Sequence, residues 1–145
     1  MLHGLLGYRS IQIQHGIRIL ALASVQQVGN VDIIIDQLKK MPVKTAIIDD
    51  AGYLMTGKFM AGHRQAKGNS QFDLYNEIAD NYYSLIKYIT DILPEDMVVY
   101  VVMHEEMNDM GYSKPKTIGK LLDDKVCVEG MFTIVLHAMK LDNKY

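Results

Sequence analysis

The sequence predicts one α/β domain over residues 1–145, with a mostly parallel sheet flanked by helices. Two observations lead to this prediction. Short apolar runs without the alternation of a half-exposed strand occur at 17–23, 44–49, 97–103 and 132–138, as expected of buried parallel strands. Amphipathic helical patterns lie between these runs, which is the order of an α/β fold. A chain of 145 residues also fits a single domain.

The two predicted helices have recognisable starts and are each followed by a proline. Residues 31–41 place apolar side chains at helical spacing, and Asn30 can cap this helix. Residues 71–93 show the same periodicity over a longer stretch, and Ser70 with Asp73 resembles a capping box. With the apolar runs on either side, the longer helix would complete a right-handed βαβ unit.

Charge and cysteine content exclude several functional classes. The 15 basic residues against 17 acidic ones give a net charge of −2, so nucleic-acid binding would need a local basic patch. A single cysteine, Cys127, excludes an internal disulfide and a Cys-rich zinc site, and we expect a buried structural thiol. No signal peptide is recognisable and the apolar runs are shorter than the roughly 20 residues of a membrane span. The sequence predicts a cytoplasmic protein without membrane association.

Polar residues follow two of the predicted strands. Asp49 ends the run at 44–49 and Asp50 follows it, and His104 comes after the run at 97–103. Ligands of parallel sheets gather at the carboxyl ends of strands. An apolar strand ending in two carboxylates is the Walker B arrangement, in which Asp49 would hold Mg²⁺ and Asp50 would orient or deprotonate water. His104 could sense a terminal phosphate. An ordinary turn and a solvated loop histidine are the alternatives.

Lysines and a threonine lie in the polar stretch 104–125. Lys114, Lys116, Thr117 and Lys120 could reach the phosphates of a nucleotide bound to the same chain or to a neighbour. The alternative is a solvated charged loop, which composition alone favours.

An intact phosphate-binding loop is not recognisable. Residues 52–59 match G-x-x-x-x-G-K-[ST] through Lys58 but end in Phe59, where the metal-binding hydroxyl would stand. Because the preceding strand already ends in the carboxylate pair, we interpret this match as accidental. Residues 4–10 contain two glycines before Arg9 and Ser10, but the spacing does not fit.

Several segments together resemble phage and prophage P-loop ATPases, which are RecA-like, AAA-type ATP-binding proteins, some linked to phage recombination. These segments are TAIIDDAGYLM at 45–55, the helix at 71–93, VVYVVMHEE at 98–106 and, most specifically, KTIGKLLDDKVCVEGMFTIVL at 116–136. The resemblance covers roughly residues 44–138 and implies a partial RecA-like core.

The resemblance also implies roles for the candidate residues. Asp49 matches the Mg²⁺-binding carboxylate, Asp50 the second acidic position and His104 the sensor position. Lys116 and Lys120 match a loop that can approach a neighbouring subunit's nucleotide. Family members begin with a complete phosphate loop and continue beyond the last strand. We therefore expect a truncated or remodelled member with a divergent part at 1–43, using Mg²⁺ and ATP if nucleotide binding is retained.

Two functions follow as expectations. The first is a nucleotide-binding module of phage recombination or DNA metabolism, with weak or absent hydrolysis. The second is a non-catalytic interaction protein on a degenerate ATPase fold, for example a phage inhibitor of a host defence nuclease or of an intact ATPase. An open sheet edge would also favour a homo-oligomer or a protein partner.

Overall fold

Among the residues that the structure describes, the main sheet contains four strands, numbered along the chain, in the order β1-β2-β3-β4. The computed structural model describes residues 8–12, 18–22, 30–42 and 44–139. β1 runs antiparallel to β2, while β2 and β3, and β3 and β4, pair in parallel. The fold is therefore mixed α/β with a small parallel sheet, as predicted. The strands are Tyr8–Gln12 (β1), Arg18–Leu22 (β2), Thr45–Ile48 (β3) and Val98–Val101 (β4).

Helices connect the parallel strands. In the described parts of these connections, one helix lies between β2 and β3, and two lie between β3 and β4. They are Val31–Lys40 (α1), Gly52–Gly62 (α2) and Ser70–Asp91 (α3). After β4 come a small antiparallel hairpin, a short helix and a 3-10 turn. These are Glu105–Met107 (β5), Ser113–Pro115 (β6), Lys120–Lys125 (α4) and the turn Glu129–Met131. Within the described ranges, no helix combines the length and apolar character that a membrane crossing requires.

The cap predicted for α1 is present, whereas the capping box predicted for α3 is not. Asn30 caps α1, since its Oδ1 accepts a hydrogen bond from the Asp32 N–H over 2.9 Å. The predicted capping box of α3 is wrong. Ser70 is already the first helical residue, so its hydroxyl bonds backwards to the N–H and carbonyl of Lys67 and cannot cap the turn that follows.

The core lies between β3 and the helices that connect the parallel strands. Ala46 and Ile48 of β3 are fully buried, and α3 contributes the largest set of core side chains, including Tyr82 and Leu85. Burying one such large apolar side chain contributes about 1.5–3 kcal/mol to folding. The apolar stripe of α3 predicted from the sequence is therefore what holds the helix on the sheet.

The predicted burial of β4 on both faces is wrong. Val99 and Val101 pack against the core, but Val98 and Tyr100 are about half exposed, at 49% and 51%. β4 is the last strand of the described sheet. Its alternate side chains therefore point either to the helix-covered face or to a face that no described element covers.

The strand predicted at 132–138 is absent from the structure. This segment forms no ladder with any described strand, and Ile134 and Leu136 are 74% and 83% exposed. It is anchored near both of its ends. Val128 before it is buried in the core, and His137 Nε2 near its end lies 2.6 Å from Glu105 Oε2.

Candidate functional site

The structure brings together two of the residues proposed for catalysis. His104 Nε2 lies 3.0 Å from Asp50 Oδ1. The parallel register that aligns Ile48 with Val101 places the ends of β3 and β4 side by side, and so brings these side chains into contact. Both remain accessible, since the Asp50 and His104 side chains are 43% and 71% exposed. The contact is an ion pair when the imidazole is protonated and a hydrogen bond otherwise.

Asp50 also has an unusual backbone conformation. Its φ is +50°, in the left-handed region, which Asp tolerates better than most residues with a side chain. Two backbone hydrogen bonds fix the turn around it. The Val102 N–H donates to the Ile48 carbonyl, and the Ala51 N–H donates to the Val102 carbonyl. Such conformations cluster at functional sites, which supports a role for this turn. Asp49, in the same turn, is exposed.

The loop carrying the predicted lysines reaches the same place through its backbone. The Lys116 N–H donates to the His104 carbonyl over 2.8 Å. The Lys116 carbonyl lies 4.0 Å from where a Cβ on Gly52 would stand, so the loop passes the start of α2. Lys116 and Lys120 are exposed, and neither makes an ion pair with another residue in the described part of the chain.

Thr117 is engaged elsewhere in the loop. Its hydroxyl donates to Asp123 Oδ1 over 2.8 Å, and Lys114 Nζ lies 2.7 Å from the same oxygen and 3.3 Å from Glu106 Oε1. The hydrogen bonds from Lys114 and Thr117 lower the pKa of the Asp123 carboxyl. The hydrogen bond to Asp123 raises the pKa of the Lys114 ammonium. Sequence reasoning missed Asp123, which organises this loop, since nothing in the local pattern pairs it with Lys114.

The partial phosphate-loop match at 52–59 lies within helix α2, a conformation that suits an accidental match. A phosphate loop presents unbonded backbone N–H groups, whereas most of these residues are committed to helical hydrogen bonding. Lys58 Nζ lies 2.5 Å from Glu77 Oε1 on α3. Of the residues at 4–10, those at 4–7 lie outside the described part, and the remaining three belong to β1.

Asp49 and Asp50 are the candidate residues for holding Mg²⁺ at this site. Among the described residues, no group of three or more His, Cys, Asp or Glu side chains comes together as a metal cage. Mg²⁺ in nucleotide sites is commonly held by one or two carboxylates, with phosphate oxygens and water completing its shell. Asp49 and Asp50 would supply two carboxylates directly after the end of β3.

A cavity of about 290 Å³ lies against the loop that carries Lys114 and Thr117. Its lining comes from β6, α4 and the segment leading to the 3-10 turn, including Lys114, Leu122, Asp123, Cys127 and Val128. The expectation that Cys127 is a buried thiol is wrong, because the side chain is exposed. The neighbouring Val128, not the cysteine, occupies the core position of this segment.

Comparison of the chain with protein-family models, with curated proteins and with solved structures finds no match. The resemblance to RecA-like ATPases stays a prediction made from the residues. Function is therefore inferred from the chemistry of the site.

Proposed function

We propose that this chain is a nucleotide-binding module of the RecA-like ATPase type, acting in phage recombination or DNA metabolism, with weak or absent hydrolysis. The observation that carries the proposal is the contact between Asp50 and His104 at the carboxyl end of two parallel strands. The loop of Lys116 is bonded to the same His104. Carboxylates and an imidazole thus lie at the sheet end where α/β proteins bind ligands, with the backbone of Lys116 beside them.

Each group has a distinct task towards a triphosphate. Asp49, with Asp50 beside it, would hold Mg²⁺, and the metal would neutralise phosphate charge. Lys116 and Lys120 would reach the phosphate oxygens with their ammonium groups. His104, oriented by the contact of its Nε2 with Asp50, would donate a hydrogen bond from Nδ1 to a terminal phosphate oxygen when its imidazole is protonated.

We expect weak hydrolysis because the described residues lack a preorganised phosphate-binding loop beside the site. Phosphoryl transfer depends on preorganised N–H groups and a lysine that surround the phosphates. In the described ranges the only sequence resembling such a loop beside this site forms helix α2, and its Lys58 is paired with Glu77. Exposed lysines on a surface loop are less preorganised, so both affinity and rate should be low.

Calorimetric titration with Mg-ATP tests the proposal. The wild-type chain should bind, and replacement of both Asp49 and Asp50 by Asn should weaken binding at least about tenfold, or about 1.4 kcal/mol. Asp80→Asn on the exposed side of α3 makes the same chemical change away from the site and should leave affinity unchanged. Absence of wild-type binding at millimolar nucleotide would refute the proposal, as would equal affinity of the double variant.

Exposed apolar side chains favour a second candidate function, the non-catalytic interaction protein. Met107, Met110 and Tyr112 of the β5–β6 hairpin are 70%, 83% and 68% exposed. Asn108 Oδ1 accepts hydrogen bonds from the N–H groups of Met110 and Tyr112, which fixes the turn that presents them. A rigid apolar tip of this kind suits insertion into a protein partner.

A hydrolysis assay separates the two functions. The chain is added to an intact RecA-like ATPase, and the rate of ATP hydrolysis is followed. An interaction protein would inhibit, and would still do so with Asp49 and Asp50 replaced by Asn, but not with Met110→Lys and Tyr112→Lys. Inhibition lost with the carboxylates and kept by the hairpin variant would exclude this second function.

A further inference from the structure

Within the part of the chain that the structure describes, the outer edge of β4 is an unpaired and unprotected strand edge. Val98 N–H donates to the Lys44 carbonyl and Val102 N–H to the Ile48 carbonyl. The strand alternates, so the backbone groups of Val99 and Val101 point away from β3. No described strand pairs with that side. Residues 97–103 are apolar at every position, without the lysine or proline that commonly protects an edge from pairing.

The same chain also carries an exposed apolar segment whose composition favours a strand. Residues 132–136 (FTIVL) are apolar at four of five positions and rich in β-branched side chains, which favour strands. The segment forms no strand, and Ile134, Val135 and Leu136 are 74%, 57% and 83% exposed. A contiguous apolar run exposed in this way is typical of an interaction surface.

We propose that two copies of the chain form a two-fold symmetric dimer in which residues 132–136 of each copy pair as an added strand with the β4 edge of the other. The exchange supplies partners for the free backbone groups of Val99 and Val101. It also covers the exposed Val98 and Tyr100 through cross-strand neighbours. A two-fold exchange is closed, so it stops at the dimer and does not propagate into fibres.

A second copy suits this edge better than the alternatives. Within its own subunit, the segment lies between the buried Val128 and the contact of His137 with Glu105, and it forms no ladder with any described strand. Direct pairing of β4 with the β4 of another copy would satisfy the edge but leave residues 132–136 exposed. Reciprocal exchange buries both apolar stretches in one interface.

Light scattering at tens of micromolar tests the dimer. The wild-type chain should have twice the monomer mass. Tyr100→Lys and Ile134→Lys, each at an exposed position, should give folded monomers. Phe72→Lys removes an equally exposed apolar side chain from α3, at 72% exposure, and should remain dimeric. A wild-type monomer, or a dimer that survives both lysine substitutions at the proposed interface, would overturn the proposal.

Disulfide trapping then distinguishes exchange from folding back within one chain. In a Cys127→Ser background, a chain with Tyr100→Cys is co-expressed with a chain carrying Thr133→Cys, Ile134→Cys or Val135→Cys. Exchange predicts a disulfide between the two different chains for at least one of the three positions. No link between chains for any position would overturn it. A second preparation, in which each chain carries both cysteines, would overturn it if the disulfide formed only within single chains.

Discussion

The hydroxyl of Tyr82 donates a hydrogen bond to Sδ of Met103 over 2.8 Å. Tyr82 lies at the centre of α3 and is 1% exposed, and this burial raises the pKa of its hydroxyl. Met103 directly precedes His104. The long helix is therefore connected to the end of β4 at the point where the candidate site begins.

Substitutions at Tyr82 should separate ring packing from the hydrogen bond. Tyr82→Phe should change the free energy of unfolding by no more than about 1 kcal/mol, because a thioether is a weak acceptor. Tyr82→Ala should cost about 3–5 kcal/mol, because it opens a cavity in the core. Urea denaturation followed by circular dichroism measures both. Equal destabilisation by the two variants would show that the hydroxyl, not the ring, stabilises this region.

The left-handed backbone at Asp50 predicts which substitutions at this position preserve the stability of the fold. Asp50→Asn and Asp50→Gly should retain stability, because both residues adopt positive φ readily. Asp50→Val should lose about 1–2 kcal/mol, because a β-branched residue is strained there. The comparison is made by urea denaturation. If valine is tolerated as well as asparagine, the turn is not held in this conformation in solution.

Gly119 is required by the loop that carries Lys116 and Lys120. Its φ is +94°, and a Cβ at this position would lie 3.0 Å from the ring of Tyr75. Gly119→Ala should therefore lose more than about 1 kcal/mol of stability. Gly68, with φ +58° and open space around it, is a matched control for backbone strain alone. Gly68→Ala should be the milder of the two; the reverse order would contradict the contact with Tyr75.

The Asp123 cluster predicts a pH dependence of stability. Lys114 and Thr117 lower the folded-state pKa of this carboxyl, so its contribution is present above the unfolded value of about 3.9. The contribution is lost as the pH falls through the folded-state pKa. Asp123→Asn should cost less than about 1 kcal/mol at neutral pH, and its deficit relative to wild type should shrink below about pH 4.

A neighbouring carboxyl supplies the control for this experiment. Asp124→Asn removes an exposed carboxyl that has no hydrogen-bond partner among the described residues. Urea denaturation at several pH values should show no comparable deficit for it. A pH-independent deficit of Asp123→Asn would mean that the ionised form is not what Lys114 and Thr117 stabilise.

The elements predicted best from the sequence were those with complete local signals. The helices predicted at 31–41 and 71–93 occur at Val31–Lys40 and Ser70–Asp91, because apolar periodicity and flanking prolines agree in both. Their local details were less predictable. Ser70 has the identity of a cap but the position of a first helical residue.

The strands show where local pattern is insufficient. An apolar run reveals that a segment suits a sheet, but not whether a neighbour covers it. The predicted strand at 97–103 therefore became a half-exposed edge, and the one at 132–138 did not form. The hairpin was missed, although the turn at Asn108 and Gly111 offered a signal for it.

The candidate site was predictable in part for a topological reason. Placing Asp50 near His104 needed only the rule that parallel strands end at one edge. The bond between the His104 carbonyl and Lys116, and the occupation of Thr117 by Asp123, depend on the path of an irregular loop. No periodic pattern encodes that path.

The exposed thiol of Cys127 has a practical consequence. It is the one cysteine of the chain and lies at the cavity beside α4. A thiol-reactive fluorophore would therefore attach at a single defined position, close to the segment that begins at Lys120. Its emission would report movement of that segment during a titration, without the background of a second labelled site.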